Sequence, residues 1–320
     1  MSFRIAYLGP AGTFTEQAAR RWDPDGRHET WPAPSVPEAI AALHEGRVGA
    51  AVVPFENSVE GSVPATLQSL LEADGVRITA EVLVEVEFSL LARPGTALEE
   101  VRVVATHPHA AAQTRAWLAR TLPRARVVAE TSTARAAQLV GEGEYDAAVA
   151  APGAADAYGL VALAEGVADR AGAVTRFVVL QEGAPVPAPT GADRTTLVAL
   201  IWQNRPGALL ELLEQFAIRG IDLSRLESRP TGEGLGEYCF WIDADAHLDE
   251  PRLQETLVGL RRTTRDLRFF GSYPRADGRV PTVPAHADDT AYAQASAWVS
   301  SLGGSSPLTG PAGARGPTRR

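Results

Sequence analysis

Two periods of hydrophobicity alternate along the first 180 residues. Short apolar runs read as buried strands at Phe3–Leu8, Val48–Val53, Val101–Thr106, Arg126–Glu130, Ala147–Ala150 and Thr175–Leu180. Between them, helical spacing predicts helices over Glu16–Trp22, Pro37–Glu45, Pro64–Ala73, Ala110–Leu122, Ala134–Glu142 and Gly153–Tyr158. Ile78–Ala92 is a longer β-branched stretch that alternates locally at Val82, Val84, Val86 and Phe88. Strands alternating with helices predict parallel sheets with crossover helices. Two α/β lobes follow, one over residues 1 to about 78 and 175–180, the other over about 82 to 174. Ile78–Ala92 and Thr175–Leu180 are then the two crossings, and a ligand belongs in the cleft between the lobes.

The pattern changes after Gln181–Arg194, whose proline, glycine and alanine mark a linker. Strands at Thr195–Trp202, Ile221–Arg229, Glu237–Ala246 and Leu267–Tyr273 flank helices at Gly207–Arg219 and Pro251–Arg262. The order βαββαβ over residues 195–275 is ferredoxin-like. Residues 276–320 are rich in Pro, Gly, Ser and Ala and are expected to be mostly disordered, with one short helix at Asp289–Leu302.

Composition removes several chemistries. All 30 basic residues among the 320 are arginine, which excludes a Schiff-base lysine, lysine-bound pyridoxal phosphate and a phosphate-loop lysine. Cys239 is the single cysteine, so there is no intramolecular disulfide and no multi-cysteine metal cluster. The net charge of −9 argues against a nucleic-acid surface. No apolar run approaches the ~18 residues of a membrane span. The amino terminus enters a strand-like run without a basic segment and long apolar stretch, so no signal peptide is expected and the setting is cytoplasmic. Gly9-Pro10-Ala11-Gly12 is not a dinucleotide fingerprint, and His107 and His109 lack a third ligand, so neither a cofactor nor a metal is expected.

Four strand-to-helix junctions carry the same kinds of polar group. They are Gly9-Pro10-Ala11-Gly12-Thr13, Pro54-Phe55-Glu56-Asn57-Ser58 leading to Gly61-Ser62-Val63, Thr106-His107-Pro108-His109 with Gln113 one turn on, and Thr131-Ser132-Thr133-Ala134. Each places hydroxyls, amides or glycine at a helix start, where free N–H groups and the helix dipole attract anions. Any one of them is satisfied as a plain helix cap. Four converging on one cleft suit a small molecule with more than one carboxylate. Thr175-Arg176-Phe177 sets a hydroxyl beside a guanidinium at a crossing between lobes. That arginine is either a fork for a carboxylate or a surface residue at a strand start.

In order and spacing, the segments Gly9–Ala19, Pro54–Gly61, His107-Pro108 with Gln113, Ser132-Thr133-Ala134 and Thr175-Arg176-Phe177 resemble prephenate dehydratase. The second domain resembles the ACT regulatory domain through Gly207-Ala208-Leu209-Leu210 and Glu227-Ser228-Arg229-Pro230. The resemblance implies a two-lobed, periplasmic-binding-protein-like catalytic domain over residues 1–180, joined to the ferredoxin-like ACT domain. It implies conversion of prephenate to phenylpyruvate, water and carbon dioxide, with feedback by L-phenylalanine and no cofactor. By the same resemblance Thr175 is catalytic, and Ala11, Thr13, Asn57, Ser58, Gln113, Ser132, Thr133, Arg176 and Phe177 form the substrate site. Phenylalanine is expected at Asn204, Gly207, Ala208, Leu209, Leu210, Glu227, Ser228 and Arg229, at a subunit interface of a homodimer or homotetramer. Ala173 stands where the family usually has asparagine, and His109 where glutamine is common. Arogenate dehydratase and a non-catalytic small-molecule sensor are the competing readings of the same motifs.

Overall fold

The computed structural model describes residues 2–231 and 237–302. The first lobe runs β1 (Arg4–Leu8), α1 (Phe14–Trp22), β2 (Glu29–Ala33), α2 (Val36–His44), β3 (Ala50–Asn57), β4 (Gly61–Ser62), α3 (Pro64–Glu72) and β5 (Val76–Glu85). The second runs β6 (Ser89–Ala92), β7 (Val103–Thr106), α4 (Pro108–Gln113), α5 (Arg115–Thr121), β8 (Arg126–Ala129), α6 (Thr133–Glu142), β9 (Ala147–Ala150), α7 (Ala154–Tyr158) and β10 (Val161–Ala164). β11 (Val174–Glu182) then returns to the first sheet, whose order is β2-β1-β3-β11-β5 with β4 on β3. The second sheet has the order β10-β6-β9-β7-β8.

The chain crosses at Val86–Phe88, within the Ile78–Ala92 stretch expected to carry the crossing and a few residues past 82, where the second lobe was expected to start. Alternation explains the delay: Val82 and Val84 still pack on the α1 side of the first sheet, with Ile5, Tyr7, Ala18 and Phe177. The helix expected over Ala110–Leu122 is two helices. Thr114 donates its hydroxyl to the Ala110 carbonyl (2.8 Å), and the Asp169 carboxylate caps α5 by accepting from the Ala116 and Trp117 N–H groups (2.9 and 2.8 Å).

The ferredoxin-like domain contains β12 (Asp193–Leu200), α8 (Ala208–Ala217), β13 (Leu223–Pro230), β14 (Tyr238–Ala244), α9 (Pro251–Thr263) and β15 (Asp266–Pro274). Its antiparallel sheet has the order β13-β14-β12-β15. α8 and α9 cover one face, where Leu212, Phe216, Leu253 and Leu260 meet Leu197, Ala199, Phe240 and Ile242.

The opposite face is not left to solvent. Val198, Cys239, Trp241, Phe270 and Tyr273 share one core with Phe55, Ile78, Val178 and Leu180 of the first lobe. At Gly271 (φ +139°) the two domains come so close that a Cβ would lie 2.2 Å from the Ile78 carbonyl oxygen. Complete burial of each large side chain here contributes about 1.5–3 kcal/mol, so the domains are docked rather than tethered.

The chain after β15 departs from the expected disorder. The Ala276 N–H donates to Glu81 (2.9 Å), Arg275 forks onto Asp277 (2.9 and 2.6 Å), and Ala287 is buried beside a Gly220–Pro284 contact. α10 (Asp289–Leu302) forms at the expected place. Residues 303–320 lie outside the described residues.

Candidate active site

Strand geometry decides which motif residues meet. In β11 successive side chains point to opposite faces, so Thr175 and Phe177 enter the cleft between the lobes while Arg176 leaves it. Thr175 lies opposite Asn57 in the β11–β3 ladder. That register brings the Asn57 Nδ2 to within 2.9 Å of Thr175 Oγ1, to which it donates. The amide is held in this sense because its Oδ1 accepts from the Val59 and Glu60 N–H groups (2.8 and 3.1 Å). With one Oγ1 lone pair taken by the amide, the threonine proton is free to point into the cleft.

The cleft is a cavity of about 270 Å³, walled on its apolar side by Phe14, Val86, Phe88 and Phe177, with Phe14 edge-on to Phe88 at 5.7 Å. Helix starts supply much of its polar side. Thr13 caps α1 by accepting from the Glu16 N–H (3.2 Å), and Ser132 caps α6 by accepting from the Arg135 N–H (3.0 Å). At α1 the first turn already carries a carboxylate, Glu16, which accepts from the Gly12 N–H (2.6 Å). α6 carries no acidic residue in its first turn and offers the cleaner anion site, with Thr133 beside it.

Glu60, on the turn after β3, reaches across to the second lobe. Its carboxylate accepts from Gln113 Nε2 (3.0 Å) and lies 2.5 Å from His109 Nδ1. His107 stands next to this pair, and its pKa is lowered from the usual value by burial and by His109, which together outweigh Glu60. Among the described residues lining the cleft there is no arginine. Among the described residues no three His, Cys, Asp or Glu side chains converge as a metal site.

The expected catalytic residue, Thr175, and the expected substrate residues Thr13, Asn57, Gln113, Ser132, Thr133 and Phe177 line the cleft. Three expected substrate residues do not. The Ala11 carbonyl accepts from Tyr158 (2.7 Å), and Ala11 borders a separate groove near Pro152. Ser58 closes the β11 ladder, its Oγ accepting from the Val174 N–H (2.9 Å). Arg176 lies buried on the far face against the ferredoxin-like domain. Glu60, His107, His109, Phe14 and Phe88 were not assigned from the sequence, although Glu60 follows Asn57 by three residues in the same motif. Ala173 contributes its backbone, accepting from the Val86 N–H (2.7 Å) at the crossing.

Arg176 sits among acids from both domains. Its Nη2 is 2.7 Å from Asp243, its Nε 3.4 Å from Glu81 and its Nη1 3.6 Å from Glu56, with the guanidinium 4.7 Å over the Phe55 ring. Burial alone pushes the Asp243 carboxyl up, but Arg176, Arg225 and Arg194 outweigh it and leave it below the usual range. Arg225 donates to Ser62 (2.6 Å) and to Glu227 (2.5 Å), and Ser62 also donates to Glu227.

The expected effector residues are divided between the two faces of this sheet. Gly207 (φ +87°) starts α8 on the helix-covered side, with Ala208 buried and Leu209 and Leu210 exposed. Ser228 lies opposite Phe240, which belongs to that side's core. Glu227 and Arg229 lie opposite Trp241 and Cys239, which face the first lobe. Asn204 borders a separate recess with Trp202 and Tyr238.

The sequence compares closely with known proteins. The prephenate dehydratase family model matches residues 5–185, and the ACT domain model residues 199–262. A prephenate dehydratase of Amycolatopsis methanolica is 50% identical over 300 residues, covering 93% of this chain and 97% of its own. That of Mycobacterium tuberculosis is 46% identical over 280 residues, covering 85% and 87%. Among solved structures, the Arthrobacter aurescens prephenate dehydratase in complex with L-Phe superposes with a TM-score of 0.89 at 44% identity, covering 93% of this chain and 99% of that one. GqqA, described as a novel type of quorum-quenching acylase, superposes with a TM-score of 0.77 at 34% identity, covering 85% and 97%. On the agreement of both family models and these relatives, the chain belongs to the prephenate dehydratase family and carries an ACT domain.

Proposed function

We propose that the cleft converts prephenate to phenylpyruvate, water and carbon dioxide, with Thr175 at the departing hydroxyl and L-phenylalanine acting through the ACT domain. The observation that carries the site assignment is the Asn57–Thr175 pair at 2.9 Å in the cleft. Prephenate is a dianion with a ring hydroxyl. The bond from the ring to its carboxylate breaks, that electron pair completes the aromatic ring, and the C–O bond breaks with hydroxide leaving. A solvent proton completes water. Aromatisation supplies the drive, so the protein has to hold the dianion and ease the departure of a poor leaving group.

A threonine hydroxyl is a weak acid and acts late, hydrogen-bonding to the oxygen as negative charge develops on it. The Asn57 amide assists by withdrawing density from Oγ1 and aiming its proton. The start of α6, with Ser132 and Thr133, takes a carboxylate. Gln113 positions Glu60 and the substrate edge near it. An acyl transfer needs a base to activate a nucleophile, whereas Thr175 is paired with an amide. Arogenate would present an ammonium, for which Glu60 is the available carboxylate; its oxygens already meet Gln113 and His109, which favours the keto acid.

For the effector, the supporting facts are the ACT match and the relative solved with L-Phe. β13 is a sheet edge with Leu226 exposed, a surface suited to pairing in a homodimer or homotetramer. This reading places the enzyme in the cytoplasm. Incubating the protein with prephenate at neutral pH, beside an enzyme-free control and a parallel arogenate reaction, tests it. Phenylpyruvate well above the control supports the assignment; faster turnover of arogenate, or no product from either substrate, overturns it.

A further inference from the structure

We propose that Arg176 is a positioning residue for Thr175, anchored by Asp243 of the ACT domain, so that the ACT sheet holds the catalytic strand in register. The inference deepens the reading above and rests on Thr175 acting at the leaving hydroxyl.

Arg176 and Thr175 are consecutive in β11, so fixing one side chain constrains the peptide that carries the other. The strand needs such a constraint at this point. The β11–β3 register shifts between Arg176 and Phe177, with Arg176 opposite Glu56 and Phe177 opposite Pro54. Proline gives the ladder no N–H, and an irregularity of this kind loosens pairing and re-aims side chains. Arg176 spans it: the guanidinium lies over Phe55 and approaches Glu56, the two residues before Asn57. The same guanidinium is therefore in contact with both strands that form the Asn57–Thr175 pair.

Its own orientation comes from the second domain. Asp243, fully buried on β14, approaches Nη2 at 2.7 Å and accepts from the Thr196 hydroxyl at 2.6 Å. Glu81 of β5 meets Arg176 from the side at 3.4 Å and is itself held by Arg194 of β12 at 2.5 Å. A second tie runs in parallel: Ser62, opposite Glu56 in the β3–β4 hairpin, bonds to both Arg225 and Glu227 of β13. Without these acids the arginine would be a buried unpaired cation and would reorient, taking the bulge with it.

The test is a double-mutant cycle on the full-length protein, measuring kcat and KM for prephenate at a temperature where circular dichroism shows every variant folded. A misplacement of the catalytic group of the order of 1 Å costs up to ~100-fold in rate, so Asp243→Asn is expected to lower kcat by roughly 10–100-fold while KM moves by less than about threefold. In a Thr175→Val background the same substitution is expected to cost less than about threefold, because the group it positions is already gone. Arg176→Lys should recover part of the activity that Arg176→Met loses. An equal loss from Asp243→Asn in both backgrounds, or an unchanged kcat, overturns the proposal. If Asp243→Asn does not fold, Ser62→Ala replaces it in the same cycle, with a smaller kcat loss expected only when Thr175 is present; equal losses again overturn it. Absence of wild-type turnover defeats the proposed function itself, whereas normal wild-type turnover with additive losses defeats only this inference.

Discussion

Replacing Thr175 by valine removes one hydroxyl and preserves the shape of the side chain. If Thr175 donates to the departing hydroxide, the loss falls on the transition state. Removing one preorganised donor of this kind costs roughly 10²–10³ in kcat, or about 2.7–4 kcal/mol. KM should change little, because the ring hydroxyl of bound prephenate is neutral and loses only an ordinary hydrogen bond. Folding should suffer less than catalysis. The substitution breaks one bond, from Asn57 Nδ2 at 2.9 Å, and the amide is left in a cleft that admits water, so about 1 kcal/mol is the expected cost. Thr175→Ser keeps the hydroxyl and should retain most of the rate. The assay is the initial rate of phenylpyruvate formation followed by chromatography, corrected for spontaneous aromatisation, with thermal unfolding of each variant alongside. A fall in kcat of less than tenfold for Thr175→Val would refute the role, and so would a large rise in KM at unchanged kcat.

Other outcomes follow from contacts elsewhere. Gly271→Ala forces a Cβ against the Ile78 carbonyl at 2.2 Å and should cost at least about 1–3 kcal/mol, seen as a lower urea midpoint and faster cleavage within the linker; unchanged stability would mean that β15 does not press on β5. The Asp243 carboxyl is held below the ordinary ~3.9, so its contribution is complete above that value and is lost as the pH falls through the lower folded one. The stability difference between wild type and Asp243→Asn should therefore shrink on acidification below about pH 4, and a difference that grew instead would contradict the ion pairing. Glu60→Gln removes a negative charge facing a dianion and should lower the KM for prephenate about three- to thirtyfold at low ionic strength, the effect fading with salt. A higher KM would show that the link to Gln113 and His109 matters more than the charge.

The strands, helices and cap residues of the cleft were legible because they are local. Thr13 and Ser132 read as helix starts from their own neighbourhood, and both cap helices at the cleft. The resemblance puts Arg176 in the substrate site, yet a strand that sends Thr175 and Phe177 one way sends the residue between them the other. What the sequence could not show is that the far face is buried under a second domain, since Asp243 lies on a distant strand and nothing local marks it as the partner. Glu227 and Ser228 repeat the lesson, adjacent in one motif and directed to opposite faces. Glu60 meets His109 and Gln113 only through the packing of one lobe against the other. The order found over 276–288 likewise depends on distant partners, Glu81 and Gly220.

With Arg176 outside the cleft, the electrostatics there favour the proposed reaction. One carboxylate of prephenate must lose its charge and leave as neutral carbon dioxide. A guanidinium on that group would stabilise the ground state more than the transition state and slow the reaction. The cleft instead offers the start of α6, with no acidic residue in its first turn and worth up to about half a positive charge, together with hydroxyls and amides. Such partners can hold the pyruvyl carboxylate without pinning the one that departs. The field of Arg176 reaches the cleft weakly, because Asp243, Glu81 and Glu56 surround it on the other side of the strand. On the proposed roles, the full cation holds the strand still and the partial charges of backbone groups meet the substrate.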